Sequence, residues 1–183
     1  RSGLGGLAGR AAKKWDQFSV GPAARVAASF IGRSLPEHYR PRYLQSPTVR
    51  VMPGPPPASS PSDAVRRLTS GPYRVTTESD RMGYRLDGVE LPHRGSAEIV
   101  SEAVCVGSLQ VPSNRQPILL MADCQPTGGY AKLATMISAD RSVAAQLGPG
   151  DSLSFRMISA QKASELFRSS RAELDRILPP CCS

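Results

Sequence analysis

The sequence predicts a mainly β domain, a barrel or a sandwich, followed by one C-terminal helix. Three observations carry this expectation. From Tyr73 onward, apolar runs of strand length alternate with turn residues, the texture of folds built from many short strands. Ser152-Leu153-Ser154-Phe155-Arg156-Met157 alternates with period two, which turns Leu153, Phe155 and Met157 toward a core. The period then changes. Ala163, Leu166, Phe167, Leu174, Ile177 and Leu178 recur at helical spacing, with Glu165, Arg168, Arg171, Glu173 and Asp175 on other faces, so Ser159 to Leu178 reads as one amphipathic helix.

The elements follow in order. Gly3-Leu4-Gly5-Gly6-Leu7-Ala8-Gly9 is too glycine-rich for a helix and reads as a loop with close backbone approach. Its spacing is not that of a dinucleotide fingerprint. Gly21 to Pro47 is irregular. Thr48 to Met52 alternates as a short strand, stopped by Pro53-Gly54-Pro55-Pro56-Pro57. Ser62 or Asp63 is placed to cap a helix over Ala64 to Thr69, ended by Gly71-Pro72. Arg74-Val75-Thr76 is strand-like, and Asp87-Gly88 is a hairpin-type turn. Ala103 to Val111, Pro117 to Ala122 and Ala131 to Ile137 are further strands. Asp140 is placed to cap a short helix over Arg141 to Leu147, terminated by Gly148-Pro149. The domain reading is a connecting strip over 1–47, a β lobe over 48–158, and a helix and tail over 159–183.

Length and charge bound the function. The 183 residues suit one domain, and no apolar run approaches a membrane span. The net charge of +8 is concentrated: residues 1–72 hold 11 Lys+Arg against 3 Asp+Glu, whereas 73–183 hold 12 of each. Few aromatics interleave the basic part and no nucleic-acid-binding signature is present, so the charge reads as a solvated face or an acidic-partner surface. Cys105, Cys124, Cys181 and Cys182 form no C-x-x-C pair, and only His38 and His93 are available beside them, which argues against a structural zinc. Cys105 sits in an apolar run and reads as a buried thiol. This cysteine usage fits a reducing, cytoplasmic setting. The chain begins at Arg1 without a signal-peptide pattern.

Chemistry-bearing residues concentrate between Tyr73 and Tyr130. Arg81, in Asp80-Arg81-Met82-Gly83, is either part of a self-satisfied turn or an anchor whose planar fork takes a carboxylate or phosphate. Glu102, before the run Ala103-Val104-Cys105-Val106, is either a solvated strand-end residue or an acid-base group whose pKa is raised beside a buried strand. Gln110, between Leu109 and Val111, is either an outward polar position or an inward amide that orients an amide substrate. Asp123 ends the run Ile118 to Ala122. Thr127-Gly128-Gly129-Tyr130 follows, either as an ordinary hairpin loop or as a backbone cradle for an oxyanion with a phenol at its rim, within reach of Lys132. No Ser/His/Asp triad is arguable, and His93, between Pro92 and Arg94, reads as a surface loop residue.

Taken together, Ser-Asp-Arg-Met-Gly-Tyr-Arg-Leu at 79–86, Ser-Glu at 101–102, Gly-Ser-Leu-Gln-Val-Pro at 107–112, Gln-Pro-Ile at 116–118, Ala-Asp at 122–123 and Thr-Gly-Gly-Tyr at 127–130 resemble one family. It is the KipA / allophanate hydrolase subunit 2 family of carboxyltransferase-like domains, which includes the C subunit of 5-oxoprolinase and the corresponding part of urea carboxylase (urea amidolyase). The resemblance runs from the glycine-rich opening to about Met157 and is strongest over 73–140. It implies a cyclophilin-like β-barrel and a KipI-like partner, the B subunit of 5-oxoprolinase, with the A subunit of that enzyme as a third component. The implied activity is ATP-dependent opening of 5-oxoproline to glutamate. Alternatives are carboxyl transfer from carboxybiotin to urea, and a non-catalytic KipA-like regulatory binder. On the leading reading Arg81 binds substrate carboxylate or phosphate, Glu102 and Asp123 handle protons, and Gly128-Gly129 stabilises an oxyanion. Gln110, Thr127, Tyr130 and Lys132 complete the substrate site. The chain departs from the family in length, since members are nearly twice as long and carry a lobe ahead of the glycine-rich opening. It also departs at Cys124, Pro126 and Ala131, where Arg, Thr and Pro are common, at Lys14-Trp15-Asp16 in place of a Gly-Asp turn, and over Pro55–Pro61.

Overall fold

The computed structural model describes residues 7–22, 31–32, 34–40, 42–54, 62–92 and 98–177. Gly3, Gly5, Gly6, the Pro55–Pro61 stretch, His93, Cys181 and Cys182 lie outside them. The chain divides into two compact units, Arg1–Pro41 and Arg42–Ser183.

In the first unit, Leu7 and Arg10 form an isolated bridge around Ala8 and Gly9, which both take positive φ. The Arg10 guanidinium donates to both Asp16 carboxylate oxygens at 2.7 Å, and the Lys13 N–H adds a bond to the same carboxylate at 2.6 Å. That pairing raises the Arg10 pKa and holds the Asp16 carboxyl below its ordinary value. Trp15, Phe18 and Val20 are all exposed.

The second unit is a β-barrel. Its strands are β1 (Thr48–Pro53), β2 (Tyr73–Val75), β3 (Gly83–Asp87), β4 (Glu98–Ala103), β5 (Ser108–Val111), β6 (Ile118–Leu120), β7 (Thr127–Met136) and β8 (Ser152–Met157). The helices are α1 (Ser62–Leu68), α2 (Arg141–Ala144) and α3 (Ala160–Ile177). The sheet order is β1-β8-β2-β3-β6-β5-β7-β4, and β1 also pairs with β7. Seven strands therefore close on themselves, with β4 attached outside the closure along β7. Among the described residues, β1 and β8 are the one parallel pair, with Val49 opposite Phe155. Closure removes the two edges an open sheet would expose. Val49, Val51, Tyr73, Leu109, Leu119, Leu133, Leu153 and Phe155 fill the interior, each 5% exposed or less.

Leu153 and Phe155 face the core as expected, with Met157 packed against it. Five local expectations are corrected. Ala103 to Val111 is not one strand: Gly107 takes φ 93°, which an L residue resists, and the chain turns over Val104–Gly107 between β4 and β5. That turn leaves Cys105 exposed rather than buried. Asp87-Gly88 closes no hairpin, because β3 pairs with β2 and β6, and the Gln116 carboxamide receives the Gly88 N–H and donates to its carbonyl instead. Asp140 makes no cap bond; its carboxylate is taken by the Arg50 N–H at 2.7 Å and by the Arg50 guanidinium, which raises the Arg50 pKa. Thr127-Gly128-Gly129-Tyr130 is no loop but the first part of the long strand β7.

The C-terminal helix forms as its period predicts, with the Ser159 hydroxyl accepting the Lys162 N–H at its start. Of its apolar stripe, Ala163 is buried while Phe167 and Leu174 stay about half exposed.

Candidate functional site

A cleft of about 230 Å³ opens on the outer face of the barrel across β3, β6, β5 and β7. Its apolar floor is Ile118 and Leu120 of β6. The sequence dictates this placement through strand alternation: Leu119 points into the core, so its neighbours on either side point out. The same alternation sets Leu109 and Val111 inward and Gln110 outward on β5.

Gln110 is nonetheless only 1% exposed. It lies against Gly128 of β7, where a Cβ would sit 2.5 Å from its Nε2. Gly128 is thus the residue that lets the carboxamide lie flat across the neighbouring strand. The Gln110 Nε2–H donates to the Tyr130 carbonyl at 3.2 Å. That carbonyl can only accept, so it fixes the Nε2 end of the amide against β7. Gln110 thus points away from the core, as strand alternation expects, and is nonetheless buried.

The polar wall comes from the loop between β2 and β3. The Asp80 carboxylate accepts the N–H groups of Met82 (2.8 Å) and Gly83 (3.3 Å), a local turn that folds the loop back on itself. The Ser79 hydroxyl accepts the Arg85 N–H at 3.0 Å and pins the other side of the loop. Glu78 and Arg85 both reach the cleft and face each other at a long 3.7 Å. Tyr130 closes the opposite wall.

Arg81 and Asp123 meet at the rim, outside the lining. The Arg81 guanidinium donates to Asp123 through Nε at 2.8 Å and Nη2 at 3.1 Å, and the Asp123 N–H returns a bond to the Arg81 carbonyl at 2.9 Å. The Met121 N–H to the Met82 carbonyl, 3.0 Å, completes a strap between the β2–β3 and β6–β7 loops. Asp123 raises the Arg81 pKa through this pair. The fork expected to hold a substrate anion is therefore already occupied from within the chain. Glu102 is exposed on β4, opposite Gly128, and Ala103 is opposite Thr127. The Lys132 ammonium donates to the Ala103 carbonyl at 3.2 Å. Gly129 approaches the Ile99 carbonyl and the Ser101 hydroxyl across the same ribbon. Of the residues singled out from sequence, Gln110 and Tyr130 line the cleft; Arg81 and Asp123 strap its rim; Glu102, Thr127, Gly129 and Lys132 belong to the β4–β7 ribbon. Glu78, Arg85 and Gln125 line the cleft and were missed, since a loop glutamate and an exposed strand arginine carry no signal by themselves.

Cys124, half-buried, stands in the loop after Asp123, and burial together with nearby Cys105 pushes its thiol pKa up. Among the described residues, no group of three or more His, Cys, Asp or Glu side chains is arranged to hold a metal ion. No helix of the described residues is long and apolar enough to cross a membrane.

The family pattern of the carboxyltransferase domain, subdomains A and B, matches residues 1–157. The chain belongs to this family. It is 35% identical over 182 residues to the C subunit of 5-oxoprolinase from Haemophilus influenzae, covering 97% of this chain and 55% of that protein. The corresponding figures for the 5-oxoprolinase C subunit of Escherichia coli are 34% over 161 residues, 88% and 50%. The chain thus spans about half the length of these relatives. By its fold it is similar to the crystal structure of Kluyveromyces lactis urea carboxylase, with a TM-score of 0.67 at 19% identity, covering 76% of this chain and 13% of that one.

Proposed function

We propose that the chain is part of a 5-oxoprolinase-type enzyme, which opens the lactam of 5-oxoproline to glutamate with ATP hydrolysis in a complex with other subunits. The observation that carries this reading is Gln110. Its carboxamide is buried, held by the Tyr130 carbonyl, and lines a cleft whose floor is apolar. A lactam ring offers what that arrangement recognises: a flat apolar body with an N–H at one edge. Opening the ring breaks the amide C–N bond, adds water at the carbonyl carbon and delivers a proton to nitrogen. Holding the N–H in place is the task of Gln110 in this scheme. The identity to the 5-oxoprolinase C subunit over nearly the whole chain supports the assignment. ATP and a KipI-like partner enter through the complex, as the family resemblance implies. Glu102 and Asp123 as proton carriers, and Gly128-Gly129 as an oxyanion cradle, belong to the same proposal. They act if a partner surface brings the substrate over the β4–β7 ribbon and the rim strap.

A second reading is carboxyl transfer from carboxybiotin to urea. It draws on the lining itself, since Glu78, Asp80 and Gln110 place several acceptors around one cleft and urea is rich in N–H donors. The test is reconstitution. The full-length protein is purified with its partner subunits and supplied with ATP and 5-oxoproline, or with carboxybiotin and urea. Glutamate formation that falls at least tenfold in Gln110→Ala supports the first reading. Carboxylated urea without glutamate supports the second. Tight partner binding with neither product points to a regulatory binder.

A further inference from the structure

We infer that Arg85, not Arg81, recognises the substrate's carboxylate, and that Glu78 is the anion it releases to do so. The identity of the ligand rests on the lactam-hydrolase reading above; the choice of residue rests on geometry. An anion entering the cleft needs a cation with free donors. Arg81 is outside the lining, and two donors of its fork are already committed to Asp123 at 2.8 and 3.1 Å. Arg85 is the one cationic side chain that lines the cleft among the described residues. Its contact with Glu78 is 3.7 Å, too long for a hydrogen bond, and the two side chains are 54% and 78% exposed. A wet pair of this length is weak, so either partner exchanges readily for a better one.

The other carboxylate in the lining does not compete. Asp80 is engaged by two backbone N–H groups and holds the loop's turn. Glu78 sits on the flank of that loop with nothing else holding its side chain among the described residues, free to swing outward as a substrate carboxylate takes the planar guanidinium in a bidentate way. Arg85 and Gln110 then read two features of one ligand from two walls of the cleft: the carboxylate from β3 and the ring N–H from β5. Glu78 occupies Arg85 when no carboxylate is present and yields it to a charged ring, whereas a neutral lactam makes no demand on Arg85 and leaves the pair in place.

The exchange predicts opposite effects from its two members. Binding of 5-oxoproline and of the uncharged ring 2-pyrrolidinone is measured by calorimetry on the full-length protein, with thermal melts checking each variant's fold. Arg85→Gln should weaken 5-oxoproline binding by about 10- to 100-fold, the range of a charge-assisted hydrogen-bond pair, and leave 2-pyrrolidinone unchanged. Arg85→Lys, which keeps charge without the fork, should fall between. Glu78→Gln should tighten 5-oxoproline binding by about two- to fivefold. Arg81→Gln should leave the preference for the charged ring intact. A preference that survives Arg85→Gln, or disappears in Arg81→Gln, overturns the inference while the lactam reading stands on wild-type binding. A Glu78→Gln variant with weakened 5-oxoproline binding overturns the exchange. A wild-type protein that binds neither ring overturns the lactam reading and the inference with it.

Discussion

Gly128→Ala tests the most particular contact in the cleft. The added Cβ would lie 2.5 Å from Gln110 Nε2 and 3.3 Å from its Cδ and Oε1. A tolerable contact needs nearly another ångström at Nε2, so the carboxamide must swing away from β7 and lose its 3.2 Å bond to the Tyr130 carbonyl. Leaving a buried amide and carbonyl unpaired costs about 1–3 kcal/mol. Alanine's smaller conformational freedom in the unfolded chain offsets about 0.5–1 kcal/mol of this. The net loss is about 0–2.5 kcal/mol, read by urea denaturation. The decisive comparison is a double-mutant cycle with Gln110→Ala. With the carboxamide gone, nothing remains at 2.5 Å, and Gly128→Ala should become neutral or slightly stabilising. The same penalty in both backgrounds would refute the packing argument, because the cost would then come from the backbone of β7 and not from Gln110.

Two further outcomes follow from the core. Tyr73 is buried, its ring 5.5 Å from that of Phe155 and its hydroxyl donating to the Val89 carbonyl at 3.1 Å; burial pushes its pKa from 10.0 up to about 12. The unfolded chain releases this proton near pH 10 while the folded chain keeps it, so stability is intact below pH 10 and is lost as pH rises toward 12, by about 2–3 kcal/mol in all. Tyr73→Phe should flatten that alkaline slope in pH-dependent denaturation; an unchanged slope contradicts the assignment. Asp140→Ala should cost about 2–4 kcal/mol in denaturant titrations, since it strips the Arg50 N–H and guanidinium of their buried acceptor between β1 and the turn before α2. A loss no larger than that of an exposed ion pair would show the Arg50 groups finding water instead.

What the sequence made legible is what local periodicity encodes. Ser152–Met157 and the C-terminal helix form where their periods of two and 3.6 place them, and Thr48–Pro53 ends in the proline stretch that marks its stop. Illegible features depend on partners far along the chain. Thr127–Tyr130 looks like a loop because of its glycines, yet those glycines let β7 run between Gln110 and the β4 backbone. Asp140 has the chemistry of a cap, but Arg50, 90 residues away, outcompetes the local N–H groups with a charged fork. Arg81 and Asp123 were each readable as polar site residues, and nothing local said that they bind each other across 42 positions. Gln110 shows the limit most clearly: alternation predicts its direction, but its burial is set by a glycine on the next strand.

Whether the cleft holds a lactam for ATP-dependent opening, as proposed, is decided by turnover in the reconstituted complex. The full-length protein is combined with its partner subunits, and glutamate formed from 5-oxoproline is measured with and without ATP, for the wild type and for Gln110→Ala. Glutamate formation should depend on ATP and drop at least tenfold in the variant while the complex still assembles. Undiminished glutamate formation by an assembled Gln110→Ala complex would place the lactam elsewhere and contradict the proposal.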